Sequence, residues 1–218
     1  MIVKIRDGTH VDILSMKIGD WYRALMDDHM TTVDENDSSK RIFAPCRPEL
    51  ASPTTDWENV WRLSRMSGLP SDLMSFAFKL IHGLMVTRKR WSQMRKTNDS
   101  GCTLCHENVE DNVEHSTISC SFNNGVGASA LEIIREQIPG ISAAELLRFE
   151  IVDVPEDLER AIVYFSAAIF QTIWEKRMST IRPSLSETRC MLESRCQILR
   201  ETRFVNSATL LSDLVSKL

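Results

Sequence analysis

The chain has 218 residues, 43% hydrophobic and 26% charged, with a formal net charge of −4, values near the averages for globular domains that point to a folded protein of one domain, or one plus an appendage. Its first residues, Met1-Ile2-Val3-Lys4-Ile5-Arg6-Asp7, lack the continuous apolar segment of a secretory signal. The longest mostly apolar run, Ala161 to Trp174, contains Ser166, Gln171 and Thr172 and is too short and polar to span a bilayer, so an intracellular protein of nucleus or cytoplasm with no membrane partner is expected.

Ile18, Trp21, Tyr22 and Leu25 fall at i, i+3, i+4 and i+7 and predict an amphipathic helix. Residues 31–55 are polar and then carry Pro45, Pro48 and Pro53, the composition of a loop or linker. Asp56 can cap a short helix holding Trp57, Val60, Trp61 and Leu63. Ser71 opens a longer one, on which Leu73, Phe76, Ala77, Leu80, Ile81 and Leu84 make one apolar face. Gly83 weakens that helix by about 1 kcal/mol against alanine and marks a close crossing or a break.

Charge changes sign along the chain. Residues 1–60 carry a net −4, residues 61–100 a net +6, residues 101–160 a net −9 and residues 161–218 a net +3. The basic segment includes Arg88, Lys89, Arg90, Trp91, Arg95 and Lys96, cations that can neutralise phosphates beside an aromatic ring that can stack on a base. A competing reading makes the run a solvated helix end, because cations favour the last turn of a helix.

The most informative stretch follows. Cys102-Thr103-Leu104-Cys105, His115 and Cys120 form the pattern C-x2-C-x9-H-x4-C. A structural zinc site is closed by four Cys/His ligands, and a two-residue spacer lets one tight turn aim both sulfurs at one ion. His106 competes with His115, but it adjoins Cys105, and consecutive residues converge on one small ion only with strain, so His115 is favoured. Buried cysteines beside surface histidines are the bland alternative, against which stands the crowding of four candidate ligands into one short polar stretch. With all four positions taken, no site stays open for a substrate, so a structural zinc ion is expected. Cys46, Cys190 and Cys196 remain outside the cluster, an odd number that argues for a reducing compartment.

Beyond the cluster, Asn123-Asn124-Gly125 predicts a turn and Ser129 to Gln137 a short helix. Ser142-Ala143-Ala144-Glu145 is a capping-box pattern that starts another. Asp153-Val154-Pro155-Glu156 starts the main core helix, with Pro155 early in its first turn and Leu158, Ile162, Phe165, Ile169 and Ile173 down one side. Pro183 separates it from a last helix, capped by Ser184 with Glu187 and carrying Leu185, Leu192 and Leu199, which should pack back on the domain. The fold expected is mainly α, an irregular multi-helix domain with a Cys3His zinc-stabilised loop. Residues 1–125 would form a helical region ending in the zinc loop, and residues 126–218 a C-terminal helical region packed on it.

The order Trp57-x3-Trp61, Phe76-Ala77-Phe78-Lys79-Leu80-Ile81-His82-Gly83-Leu84, Thr87-Arg88-Lys89-Arg90-Trp91 and then the Cys/His cluster resembles the zinc-binding region on the carboxy-terminal side of the reverse transcriptase of non-LTR retrotransposons. The similarity covers about residues 56–122. The chain departs from the family at Thr103 and Val86, where proline is common, at Phe78, where tryptophan is common, and at Glu114, which adjoins His115 directly. The resemblance implies an accessory module that binds RNA or DNA in support of a polymerase domain, with zinc as a structural ion. A protein-interaction scaffold that keeps the zinc-stapled fold without nucleic-acid binding is the alternative, suggested by the acidic residues 101–160. An enzyme using His82 or His115 is disfavoured, since nothing in the sequence assembles a nucleophile, a base and an orienting group.

Overall fold

A computed structural model describes residues 2–4, 10–12, 60, 66, 68–81, 84–95, 98–105, 107–201 and 204–218. The chain divides into two compact units, Met1–Ala51 and Ser52–Leu218. In the first, β1 (Ile2–Lys4) pairs antiparallel with β2 (His10–Asp12), with Val3 opposite Val11. The predicted helix at Ile18 to Leu25 and the loop 31–55 lie outside the described residues. So do Trp57, Trp61 and Leu63, although Val60 between them is helical and fully buried.

The second unit is helical because its apolar residues recur at the helical period. Helix α1 (Ser71–Ile81) buries Leu73, Phe76, Ala77, Leu80 and Ile81, the face expected. It ends at Ile81, short of Leu84; Met85 is the next of the described residues to enter the core. Helix α2 (Arg88–Arg95) starts at Thr87, whose hydroxyl accepts from the Arg90 N–H at 3.2 Å. Arg88, Lys89 and Arg90 therefore occupy the first turn, the positive end of the helix dipole, and not the last turn where cations are favoured. Their location needs a source of negative charge nearby.

After the metal loop, Asn124 and Gly125 take left-handed backbone (φ 54° and 77°) and make the predicted turn. Helix α3 (Val126–Gln137) begins directly after it, three residues earlier than the sequence pattern indicates. The capping box forms as expected: the Glu145 N–H donates to Ser142 Oγ at 3.1 Å, and the Ser142 N–H donates to Glu145 Oε2 at 2.7 Å, opening α4 (Ala143–Arg148).

Helix α5 (Glu156–Met178) is the centre of the unit. Pro155 stands at its N-cap, one place before the first turn, and Glu156, Asp157 and Glu159 follow at the positive end of the dipole. The apolar stripe expected on one side is there, but every residue from Glu159 to Phe170 is buried. A helix buried all round is surrounded by other elements, and α5 packs against α1, α3 and the two C-terminal helices. The segment expected as one last helix is two. Helix α6 (Leu185–Arg200) starts at Ser184, whose hydroxyl accepts from the Glu187 N–H, and α7 (Val205–Lys217) folds back along it. Both bury a stripe, Leu192, Cys196 and Leu199 on α6 and Ala208, Leu211, Leu214 and Val215 on α7. Arg160, buried on α5, pairs with Asp157 on its own helix (3.1 Å) and ties down the start of α7 through Ser207 Oγ (3.1 Å) and the Phe204 ring, 4.4 Å away. Among the described residues no helix is long and apolar enough to cross a membrane.

Candidate metal centre

The four ligand candidates come from two small structures. Cys102 and Cys105 sit on a knuckle closed by a bridge between Gly101 and Glu110, in which the Cys102 N–H donates to the Val109 carbonyl and the Asp111 N–H to that of Ser100, each at 2.8 Å. His115 and Cys120 flank a π-helical turn, His115–Ser119, closed by the Cys120 N–H donating to the His115 carbonyl at 2.9 Å. The widened turn answers a geometric need. Five residues advance an α-helix by about 500°, which leaves i and i+5 on different faces, whereas an i to i+5 hydrogen bond brings the two ends of the turn together.

The ligand atoms of Cys102, Cys105, His115 and Cys120 all lie within 4.8 Å of one another. The two sulfurs of Cys102 and Cys120 are 3.8 Å apart, and Cys105 Sγ is 3.4 Å from His115 Nε2. A zinc ion with its usual bond lengths would need edges of about 3.8 Å between sulfurs and about 3.5 Å between sulfur and nitrogen. The donor set and its spacing therefore fit a tetrahedral zinc ion. Cys102, His115 and Cys120 are buried and Cys105 is half-buried, around a small apolar cluster with Phe122 and Leu104. His106, the competing ligand, lies outside the described residues.

The thiols are unlike one another electrostatically. Burial pushes Cys102 up, yet the backbone N–H groups of Cys105 and Leu104, together with His115 and Arg177, overcome it and bring the thiol to about 6. Cys120 is pushed up to about 12 by burial and by the neighbouring Cys102 charge. Cys105 is raised by burial and by the same neighbour. One sulfur thus ionises at the expense of the others, and a divalent cation is what would allow all three to be thiolates, with release of protons.

Around these ligands lies a shell that sequence reasoning missed. Ser119 Oγ is 3.4 Å from His115 Nδ1, so that with Nε2 facing the sulfurs the Nδ1–H can donate to the hydroxyl and fix the ring. Arg177, near the end of α5, reaches Cys120 Sγ at 3.4 Å, Cys102 Sγ at 3.8 Å and Asp111 Oδ1 at 2.7 Å. Asp111 also accepts from Ser116 Oγ at 2.7 Å and, through its other oxygen, from the Arg88 N–H at 3.0 Å. The one signal in the sequence was periodic: Arg177 continues the stripe Ile162, Ile169, Ile173 by one more i+4 step, a charge on a buried face that must find partners.

The basic helix is mounted on this loop. Its compensating negative charge comes from there: Arg88 pairs with Asp99, Lys89 Nζ with Glu110 at 2.7 Å, and the Lys89 N–H donates to the Asp111 carbonyl at 3.2 Å. Lys89–Glu110 joins the positive segment read in the sequence to the negative one, while Arg88–Asp99 lies within the positive segment. Trp91, on the same helix, is 41% exposed. Arg95 lies in α2, its side chain outside the described residues, as is Lys96.

Comparison with known proteins agrees with the chemistry of the donors. Residues 38–126 match the family described as zinc-binding in reverse transcriptase, a stretch that holds the four ligand candidates and α2 and ends at the first residue of α3. No curated protein and no solved structure matches the chain.

Proposed function

We propose that this zinc-binding, reverse-transcriptase-related chain is an accessory module that binds RNA or DNA beside a polymerase domain, as in the carboxy-terminal region of non-LTR retrotransposon reverse transcriptases. Cys102, Cys105, His115 and Cys120 hold one structural zinc ion. The observation that supports a nucleic-acid role is the mounting of α2: its first turn is bonded to the zinc loop through Asp111, and half-exposed Trp91 follows it. Arg88, Lys89, Arg90, Arg95 and Lys96 serve as phosphate contacts, Trp91 as a stacking surface. The zinc ion then acts by fixing the direction in which α2 faces. The chemistry of polymerisation belongs to another domain, since the matching family is described by zinc binding.

The ion pairs Arg88–Asp99 and Lys89–Glu110 favour a second reading, a protein-interaction scaffold whose basic helix is satisfied internally. Filter binding of single-stranded and duplex RNA and DNA across a salt series separates the two. Nucleic-acid binding predicts an affinity that falls linearly on logarithmic axes as salt rises. It also predicts that Trp91→Ala costs about 1–3 kcal/mol on single strands. No affinity at low salt removes the first reading and leaves the scaffold.

A further inference from the structure

Buried arginines are costly unless every donor is answered. Arg148 meets Glu150, and Arg160 meets Asp157 and Glu156. Arg177, 8% exposed, has one carboxylate, Asp111, and turns its remaining reach toward two sulfurs. We propose that Arg177 is a positioning residue of the metal centre, holding Cys102 and Cys120 by N–H···S hydrogen bonds, so that the site is completed by a helix outside the stretch matching the zinc-binding family.

This rests on the zinc reading of the four-ligand cluster and adds a fifth residue to it. Three thiolates and a neutral imidazole around a divalent cation leave a net charge of −1, and Asp111 beside them adds another. Arg177 is the buried cation that offsets this. Hydrogen bonds from it draw charge from the sulfurs and fix their direction, as outer-shell partners of metal ligands do. Asp111 holds the guanidinium in place and is itself held by Ser116 on the π-turn and by the Arg88 N–H on α2. One carboxylate thereby joins α2, the π-turn and α5. A plain structural ion pair would need only Asp111; the 3.4 Å approach to Cys120 Sγ is what sets this pair apart.

The test is a cobalt(II) titration of the full chain, followed by zinc competition, on the wild type, Arg177→Met and Arg177→Lys, with far-UV circular dichroism on each. Wild-type protein should show the absorption of a tetrahedral thiolate site. Arg177→Met should weaken metal binding roughly 10- to 100-fold. It should also move the sulfur-to-cobalt charge-transfer band to longer wavelength, because lost hydrogen bonds raise the sulfur lone pairs in energy. Arg177→Lys, which keeps the charge and loses the fork, should fall between the two. A variant with intact helicity, unchanged affinity and an unmoved band overturns the proposal. If Arg177→Met fails to fold, the lysine variant is judged by the same band and affinity. Failure of the wild type to bind cobalt or zinc removes the zinc reading itself, and this inference with it.

Discussion

Residues 100–123 and the helices α3 to α7 are held together by opposite means. The helical side encloses Tyr164, Phe165, Phe170, Ile162, Ile169 and Ile173 almost completely, and each such side chain contributes about 1.5–3 kcal/mol relative to exposure. The metal side buries Val113, Ile118 and Phe122 and otherwise closes on polar bonds, a π-turn and the four ligand candidates. A helix can be assembled from one repeated apolar pattern, whereas the loop needs each named residue in its place. The two sides meet where Arg177 crosses from one to the other and where α3 lies against the π-turn.

Removing zinc should expose this difference most sharply. Structural zinc is worth about 10–16 kcal/mol of apparent binding in small finger peptides, comparable to or larger than the 5–15 kcal/mol stability of a whole domain. The metal side draws on that contribution, whereas α5, α6 and α7 hold one another by their own apolar burial, so chelation, or Cys105→Ser, should release residues 100–122 while these helices persist. Far-UV circular dichroism should lose only a small part of its helical signal, and amide exchange should accelerate in the loop first. A cooperative loss of all helix would show instead that the loop is part of the core.

The seam between the regions is next in size. A Cβ placed on Gly127 would lie 1.9 Å from the Thr117 carbonyl oxygen and 2.8 Å from Ile118 Cα. Neither neighbour is a flexible side-chain end, so α3 must shift away from the π-turn. Gly127→Ala should cost about 1–3 kcal/mol and should also weaken metal binding, because the turn carrying His115 and Cys120 is what moves. Urea unfolding and a zinc competition assay on the same variant check both parts.

The same contrast explains what the sequence revealed. Regular helices were readable from periodicity, as with the buried face of α1 and the Ser142 capping box. The ligand spacing was readable because coordination demands four particular residue types. Three features were not. The break between α6 and α7 follows no proline or glycine. The early start of α3 depends on Asn124 and Gly125 turning straight into the helix. Arg177 and Asp111 are 66 residues apart, and their pairing exists only after the two regions dock. Regularity and chemistry leave local marks, while docking leaves almost none.

The smallest effect lies wholly on the helical side and therefore checks that the two regions respond separately. Ser142→Ala removes the hydroxyl that caps α4 and should cost about 1 kcal/mol, with zinc affinity unchanged. Its partner Glu145 has its carboxyl held below the ordinary value by the Ser142 hydroxyl and backbone N–H. Because the folded value is the lower one, the stabilisation is fully present above the unfolded pKa of Glu145 and fades as pH falls through the folded one. The difference in Tm between the wild type and Glu145→Gln should be constant near neutral pH and should close in acid, below about pH 4. A gap that instead widens on acidification would mean that the carboxylate is not what the cap relies on, and a change in zinc affinity in either variant would mean that α4 and the metal loop are one cooperative unit.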